Sequence, residues 1–215
     1  MTALQDHPGL ARSPDRAVLA QVLEPGTTLA IWDRAPPRAL LDGMARLCPA
    51  HLPQGRALVW LPDVPAALSA MLAETPIGPT PLGMALHEDI LALITQFAAI
   101  ADTDVVDIRL DRLAHDGCWK FHRDHVHLRL LATYRGPATQ IVPDMQAEAA
   151  LREQRAYRGP LEDMPEGAIA LFKGARGNPD QGTVHRSPPV KGTGMVRSLL
   201  CLNLPSEASP RLWQP

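Results

Sequence analysis

The sequence contains few aromatic residues and few cysteines. Phe, Trp and Tyr make up 4% of the 215 residues, so it lacks the stacking platforms that single-strand nucleic-acid-binding proteins use. A formal net charge of −2 gives no attraction to nucleic acid or to an anionic membrane. The three cysteines, Cys48, Cys118 and Cys201, are odd in number and far apart, which argues against a disulfide framework or a Cys-x-x-Cys motif. We therefore expect a small-molecule substrate and no nucleic-acid or membrane partner.

Long apolar runs are also missing, and we find none that would span a bilayer. The first 20 residues mix Asp, His, Pro and Arg without a continuous apolar segment, so they do not look like a signal peptide. Together with the unpaired cysteines, this predicts a reducing, cytoplasmic location. Proline is the one abundant punctuating residue, with 22 copies placed at segment edges.

The pattern of the chain changes near residue 104. Before it, helical periodicity dominates; the clearest helix has Thr80 as N-cap, Pro81 at the first helical position and an apolar stripe that continues to about Asp102. After it, short strand-like segments alternate with Gly, Pro and Asn turns, interrupted by a polar helical insertion at 145–155. The predicted strands lie at 105–110, 128–134, 139–142, 168–172, 182–186 and 196–202. We predict an α+β fold in which a helical N-terminal region (1–103) packs on a double-stranded β-helix core (104–215) of the jelly-roll or cupin type, in one integrated unit.

The segment 118–131 contains a His-x-Asp pair, His122 and Asp124, at the start of an apolar, strand-like run. Side chains two residues apart on a strand point to the same face, so these two can share one ligand. A later segment, 182–189, supplies a second imidazole at His185. Two histidines and one carboxylate form the facial triad that holds non-haem Fe(II) and leaves coordination positions open. We therefore predict that His122, Asp124 and His185 bind a metal ion.

An arginine follows on the next predicted strand, at Arg197, where it can bind a carboxylate through two parallel hydrogen bonds. The ordered set His-x-Asp, His and Arg resembles the Fe(II)/2-oxoglutarate oxygenase superfamily. That resemblance implies that 2-oxoglutarate chelates the iron and that Arg197 binds its distal carboxylate. Tyr134 and Lys173 are candidate helpers in cofactor binding. Candidate substrate-binding or supporting residues are Cys118, Arg129, Arg186 and Ser187.

Several motifs resemble a bacterial family known as domain of unknown function 1826. They are Cys-Trp-Lys-Phe-His-Arg-Asp at 118–124, Arg-Leu-Leu-Ala-Thr-Tyr-Arg-Gly-Pro at 129–137, Lys-Gly at 173–174 and His-Arg-Ser-Pro-Pro at 185–189. The resemblance covers about residues 80 to 204, and the chain departs from the family's Gly-Pro-Gly-Thr turn at Ala138. The family name implies no established reaction.

Zinc is the main alternative to iron, because Cys118, His122, Asp124, His125 and His127 lie within ten residues. Strand alternation places His125 and His127 on the opposite face from His122, so we expect them to be exposed. Cys118 fits a small buried apolar residue better than a ligand. With zinc bound, the protein would be a zinc-binding or metal-homeostasis protein without oxygenase turnover. A third hypothesis is a barrel that has kept the fold but lost the function and serves as an interaction module.

Purely structural roles also remain open for the same residues. In that case the histidines are core or surface residues, Asp124 pairs with Arg123, and Arg197 neutralises a carboxylate of the N-terminal half. Hydrolase and phosphate-binding functions fit poorly, since the sequence has no Gly-x-Ser-x-Gly elbow and no phosphate loop.

Overall fold

A computed structural model describes residues 7–176 and 182–215. Its strands are β1 (Leu10–Ser13), β2 (Leu29–Trp32), β3 (Gly55–Trp60), β4 (Val105–Leu113), β5 (Leu128–Arg135), β6 (Gln140–Ile141), β7 (Glu162–Asp163), β8 (Ile169–Lys173), β9 (His185–Arg186) and β10 (Arg197–Asn203). Its α-helices are α1 (Arg38–Arg46), α2 (Val64–Ala73), α3 (Pro81–Ala101) and α4 (Ala147–Glu153). Its 3₁₀ helices are Arg16–Leu23, Pro49–His51, Leu61–Asp63, Asp144–Gln146 and Gln154–Ala156.

Seven strands form one large sheet in the order β1-β2-β8-β5-β10-β4-β3, and three short strands form a second sheet in the order β7-β6-β9. All pairs are antiparallel except β1 with β2. The predicted mixed α+β class is confirmed. The first 103 residues, expected mainly as a helical layer, also supply β1, β2 and β3 to the large sheet.

The two faces of the large sheet have different neighbours because side chains alternate along each strand. On β5, Leu130, Ala132 and Tyr134 join the core formed with α1, α2 and α3. Leu131 faces the other way and packs in a second cluster with Phe172 of β8 and residues of the small sheet. The metal-site candidates lie on this second side.

Helix α3 begins and ends close to where the sequence predicts. The Thr80 hydroxyl accepts a hydrogen bond from the Gly83 amide at 3.2 Å, and Asp102 ends the helix in a left-handed conformation with φ of 49°. By length and composition alone α3 is long and apolar enough to cross a membrane, which corrects our expectation that no such run exists. A core helix passes the same test, and the apolar stripe of α3 is buried in the core under the large sheet.

Candidate metal centre

The three side chains predicted as ligands converge on one point. One ligand atom from each of His122, Asp124 and His185 lies within 4.8 Å of the others, and no other group of three or more potential ligands occurs in residues 7–176 and 182–215. His122 Nε2 lies 3.6 Å from Asp124 Oδ1, and His185 Nε2 lies 3.4 Å from Asp124 Oδ2. The cluster is buried at Asp124 and His185 and partly exposed at His122.

The backbone brings these distant residues together through a short bridge. His122 and His185 form an isolated antiparallel bridge in which each amide donates to the other residue's carbonyl at 3.1 Å. β9 begins at His185 and also pairs with β6, which anchors the bridge to the small sheet.

The prediction that His122 and Asp124 share a regular strand is wrong, because β5 begins only at Leu128. The backbone after His122 is instead held by the segment that follows β8: Ala175 N donates to Asp124 O at 2.7 Å and Gly174 N donates to His127 O at 3.0 Å. His125 and His127 are exposed as predicted, although they lie in a loop and not on the far face of a strand.

Both imidazoles are oriented by backbone carbonyls. His122 Nδ1 lies 2.8 Å from Lys120 O, and His185 Nδ1 lies 3.0 Å from Thr183 O. A carbonyl only accepts, so each Nδ1 carries a proton and each Nε2 is the ring atom turned toward Asp124. This is the supporting arrangement that metal-ligating histidines use.

The charge states of the cluster favour a cation. Burial opposes ionisation of Asp124, but the hydrogen bond from His122 and the interactions with His185 and Arg129 outweigh it and lower its pKa to about 2. Burial lowers the pKa of His185, so this imidazole is kept neutral. The hydrogen bond with Asp124 raises the pKa of His122. Asp124 Oδ2 is buried and has no hydrogen-bond partner among the described residues, so the site offers a free ligand atom that suits a metal ion.

Arg197 is buried on the same side of the large sheet. It is 1% exposed, and strand alternation places it on the face of β10 that Leu199 and Cys201 share. Its Nε donates to Pro137 O at 2.6 Å, whereas Nη1 and Nη2 have no hydrogen-bond partner in the described part of the chain. Desolvation lowers its pKa to about 10. The predicted alternative, an ion pair with a carboxylate of the N-terminal half, is not observed among these residues.

A cavity of about 50 Å³ adjoins the cluster. Five candidate residues line it, namely Cys118, His122, Arg129, His185 and Ser187, together with Leu199 and Cys201 from β10. A second, outer cavity of about 310 Å³ is lined by Asp116, Cys118, Trp119, Lys120 and His122. Cys118 is exposed, so the expectation that it is a small buried residue is wrong.

Three candidates are not brought to the metal centre. Tyr134 points to the helical face of the sheet and donates from its hydroxyl to Asp89 Oδ2 at 2.5 Å. Lys173 Nζ donates to Glu24 O at 3.1 Å and lines a different cavity. Arg186 donates to Gln140 Oε1 at 2.7 Å and stacks over Phe121 at 4.3 Å.

The remaining prediction about this segment concerns Arg123. Its Nη2 donates to Glu148 Oε1 at 2.8 Å, so the predicted pair between Arg123 and Asp124 does not form. The carboxylate of Asp124 contacts Arg129 instead.

Two residues that line or support the site were not predicted from the sequence. Arg109, on β4, lines the inner cavity. Gln154 clamps the residue before His122, accepting from Phe121 N at 2.9 Å and donating to Phe121 O at 3.0 Å. The alternation of side chains along β4 would have placed Arg109 on the cavity side of the sheet. No local signal in the sequence links Gln154 to Phe121, which lies far away in the chain.

The chain is similar to several solved oxygenases. It is 11% identical to a Pseudomonas putida prolyl-4-hydroxylase, with a TM-score of 0.43, covering 87% of this chain and 96% of that one. Neurospora crassa T7H in complex with alpha-KG is 12% identical, with a TM-score of 0.44 and coverage of 94% and 86%. The Kdo hydroxylase KdoO, described as a non-heme Fe(II) alphaketoglutarate dependent dioxygenase, is 10% identical, with a TM-score of 0.46 and coverage of 91% and 88%. At such identities and TM-scores the functional conclusion has to rest on the site itself.

No curated protein matches the sequence. One family does, under the description "Protein of unknown function (DUF1826)", and its match extends over residues 13–203. The match begins well before the predicted residue 80 and so includes most of the helical layer as well as the metal centre. The chain belongs to the DUF1826 family.

Proposed function

We propose that this protein is a mononuclear non-haem Fe(II), 2-oxoglutarate-dependent oxygenase with a double-stranded β-helix core, acting on a small-molecule substrate. One observation carries the proposal: the Nε2 atoms of His122 and His185 converge on the carboxylate of Asp124, whose Oδ2 is buried and has no hydrogen-bond partner among the described residues. Two histidines and one carboxylate leave coordination positions open for a co-substrate.

The buried arginine supports the same assignment. Two guanidinium nitrogens of Arg197 have no hydrogen-bond partner among the residues that the structure describes, and an anion would offset the cost of a buried cation without a partner. A carboxylate fits their planar, forked geometry. Arg197 would therefore bind the distal carboxylate of 2-oxoglutarate.

The protein's own residues orient the two imidazoles and keep the carboxylate of Asp124 ionised. The Lys120 and Thr183 carbonyls fix the imidazoles of His122 and His185, and the pKa of Asp124, lowered to about 2, keeps the carboxylate ionised. Fe(II) and the 2-oxo acid, when bound, supply the activation of O₂ that protein side chains cannot provide. The outer cavity beside His122 would admit the substrate.

A zinc-binding function without turnover is the competing proposal. Structural zinc sites use four ligands, often with cysteine. The group found in residues 7–176 and 182–215 has three members and does not include Cys118, which favours an open site.

The test uses protein purified without an affinity tag. We expect anaerobic addition of Fe(II) and 2-oxoglutarate to produce a metal-to-ligand charge-transfer band in the wild type and none in His185→Ala. If the purified protein contains stoichiometric zinc that Fe(II) does not replace, the iron assignment fails. If iron binds and no band appears, the co-substrate assignment fails.

A further inference from the structure

Asp124 has a third neighbour in addition to the two histidines. The Arg129 guanidinium, through Nη1, forms an ion pair with Asp124 Oδ1. Arg129 is itself held from the other side, because its Nε donates to Asn203 Oδ1 at 2.8 Å. Arg129 and Asn203 are direct partners in the register of β5 and β10, so the guanidinium is fixed by the sheet.

This contact makes the two carboxylate oxygens of Asp124 different. Oδ1 is engaged in a charge-assisted hydrogen bond, the strong class. Oδ2 is buried without a hydrogen-bond partner among the described residues and lies 3.4 Å from His185 Nε2. Free carboxylates bind metal ions through one oxygen or through both, but one that is held at Oδ1 has a single oxygen to offer.

We propose that Arg129 restricts Asp124 to coordination through Oδ2 alone and so keeps open the position that a chelating 2-oxo acid needs. The part of this inference that concerns the 2-oxo acid rests on the proposed function. The part that concerns coordination by Asp124 does not. Arg129 is thus a positioning residue, acting on the metal centre only through the carboxylate that it holds.

Because Arg129 is charged, its removal should affect metal binding differently from the removal of an ordinary supporting residue. Both imidazoles are neutral when they bind a metal ion. One carboxylate and one guanidinium then leave the ligand set without net charge, so Arg129 repels the bound cation while it orients the ligand. Removing an ordinary supporting residue weakens metal binding by roughly 10–100-fold. Removing Arg129 should instead leave metal affinity equal or higher, while binding of the 2-oxo acid weakens by about tenfold or more.

Co(II) is the probe, because its visible absorption falls in intensity as the coordination number rises. The full-length wild type, Arg129→Gln and Arg129→Lys would each be titrated with Co(II), then with 2-oxoglutarate. We expect Arg129→Gln to bind Co(II) at least as tightly as the wild type, with weaker visible absorption and reduced affinity for 2-oxoglutarate. Arg129→Lys keeps the charge and should behave more like the wild type. Unfolding midpoints establish that each variant is folded.

Arg56→Gln is the matched control. Arg56 also pairs with a buried aspartate, Asp107, at 2.6 Å, but it does not line the cavity beside the metal centre. The Co(II) spectrum of this variant should therefore match that of the wild type.

The outcomes distinguish this inference from the proposed function. It is overturned if Arg129→Gln keeps the wild-type Co(II) spectrum, or if it loses Co(II) affinity by the 10–100-fold typical of a supporting residue. Failure of the wild type to bind Co(II) overturns the metal centre altogether. If the wild type binds Co(II) and not 2-oxoglutarate, the proposed function fails, while the altered spectrum of Arg129→Gln would still support the role of Arg129 in coordination.

Discussion

Asp124 Oδ2 and His185 Nε2 face each other at 3.4 Å, and neither atom has a proton to share. The Nδ1 of His185 carries the ring proton because it meets the Thr183 carbonyl, and the pKa values of Asp124 and His185 are both lowered. Two hydrogen-bond acceptors in contact inside a protein repel each other unless a cation lies between them. The arrangement therefore fits the proposed metal ion better than a core hydrogen bond.

The first prediction concerns the ligands. Asp124→Ala and His185→Ala should each abolish stoichiometric binding of Fe(II) or Co(II), because each removes one ligand from the one group of three found in residues 7–176 and 182–215. Isothermal titration and metal analysis of untagged protein measure the loss.

The chain provides its own controls at His125 and His127, which lie in the same histidine-rich segment and are exposed. Their alanine variants should retain the metal at wild-type stoichiometry. Equal loss of metal in His125→Ala would show that the segment binds metal nonspecifically and that the three-residue centre is not the site.

The second prediction concerns Arg197, whose buried guanidinium has two nitrogens without a hydrogen-bond partner in the described part of the chain. Arg197→Met should raise the free energy of unfolding by about 1–3 kcal/mol, because it removes buried groups that lack hydrogen bonds. It should also remove the spectroscopic response to 2-oxoglutarate while leaving metal binding intact. Urea titration of the metal-free protein and an anaerobic 2-oxoglutarate titration measure the two effects.

Arg197→Lys keeps the charge and loses the forked geometry, so it should weaken 2-oxoglutarate binding without the gain in stability. A lower stability of Arg197→Met would mean that the lost hydrogen bond from Nε to Pro137 O outweighs the removal of the two other nitrogens. An unchanged response of this variant to 2-oxoglutarate would contradict the carboxylate-binding assignment.

The α3 helix and the main strands after residue 104 were predictable because the relevant signals in the sequence are local. The α3 helix has its N-cap and its proline within two residues, at Thr80 and Pro81, and β5 and β10 are nearly continuous apolar runs. The triad was predictable for a different reason: its three residue types are those that the chemistry of Fe(II) requires.

The orientation of individual side chains was harder to predict. Tyr134 fits the pattern of a polar helper at the end of β5, yet strand alternation turns it to the helical face, where Asp89 accepts its hydrogen bond. His122 looked like the first residue of a strand, but its position depends on a bridge to His185 and a clamp from Gln154. Such long-range contacts leave no periodic trace in the sequence.

The third prediction concerns Tyr134, which lies on the helical face of the sheet and not at the metal centre. Tyr134→Phe should cost roughly 2 kcal/mol of stability, because a hydrogen bond to a charged carboxylate is lost. It should leave metal and 2-oxoglutarate binding unchanged, since the ring lies on the far side of the sheet. Arg34 keeps Asp89 paired through contacts of 2.5 and 2.8 Å, so the variant should still fold.

The contact between Tyr134 and Asp89 also predicts that the stability of the protein depends on pH in the alkaline range. Burial, reinforced by the charge of Asp89, raises the pKa of Tyr134 well above its ordinary value of 10.0. The unfolded chain therefore loses this proton first as the pH rises, so the contribution of Tyr134 to stability is complete below pH 10.0 and declines above it. Urea unfolding at about pH 8 and about pH 11 should show a smaller difference between wild type and Tyr134→Phe at the higher pH. A constant difference would contradict the raised pKa.

The last prediction concerns the backbone that supports Asp124. A Cβ atom added to Gly174 would lie 2.1 Å from Val126 O and 2.7 Å from Asp124 O, both of which are main-chain atoms that cannot rotate away. Gly174→Ala should therefore destabilise the protein by about 1–3 kcal/mol or more and weaken metal binding, because the displaced segment contains a ligand. Gly55→Ala is the matched control: the nearest atom to its Cβ is the mobile end of the Met71 side chain, at 3.1 Å, so the cost should stay within about 1 kcal/mol. Urea unfolding and Co(II) titration of both variants measure these effects, and normal Co(II) affinity in a destabilised Gly174→Ala would show that the position of Asp124 does not depend on its contact with this segment.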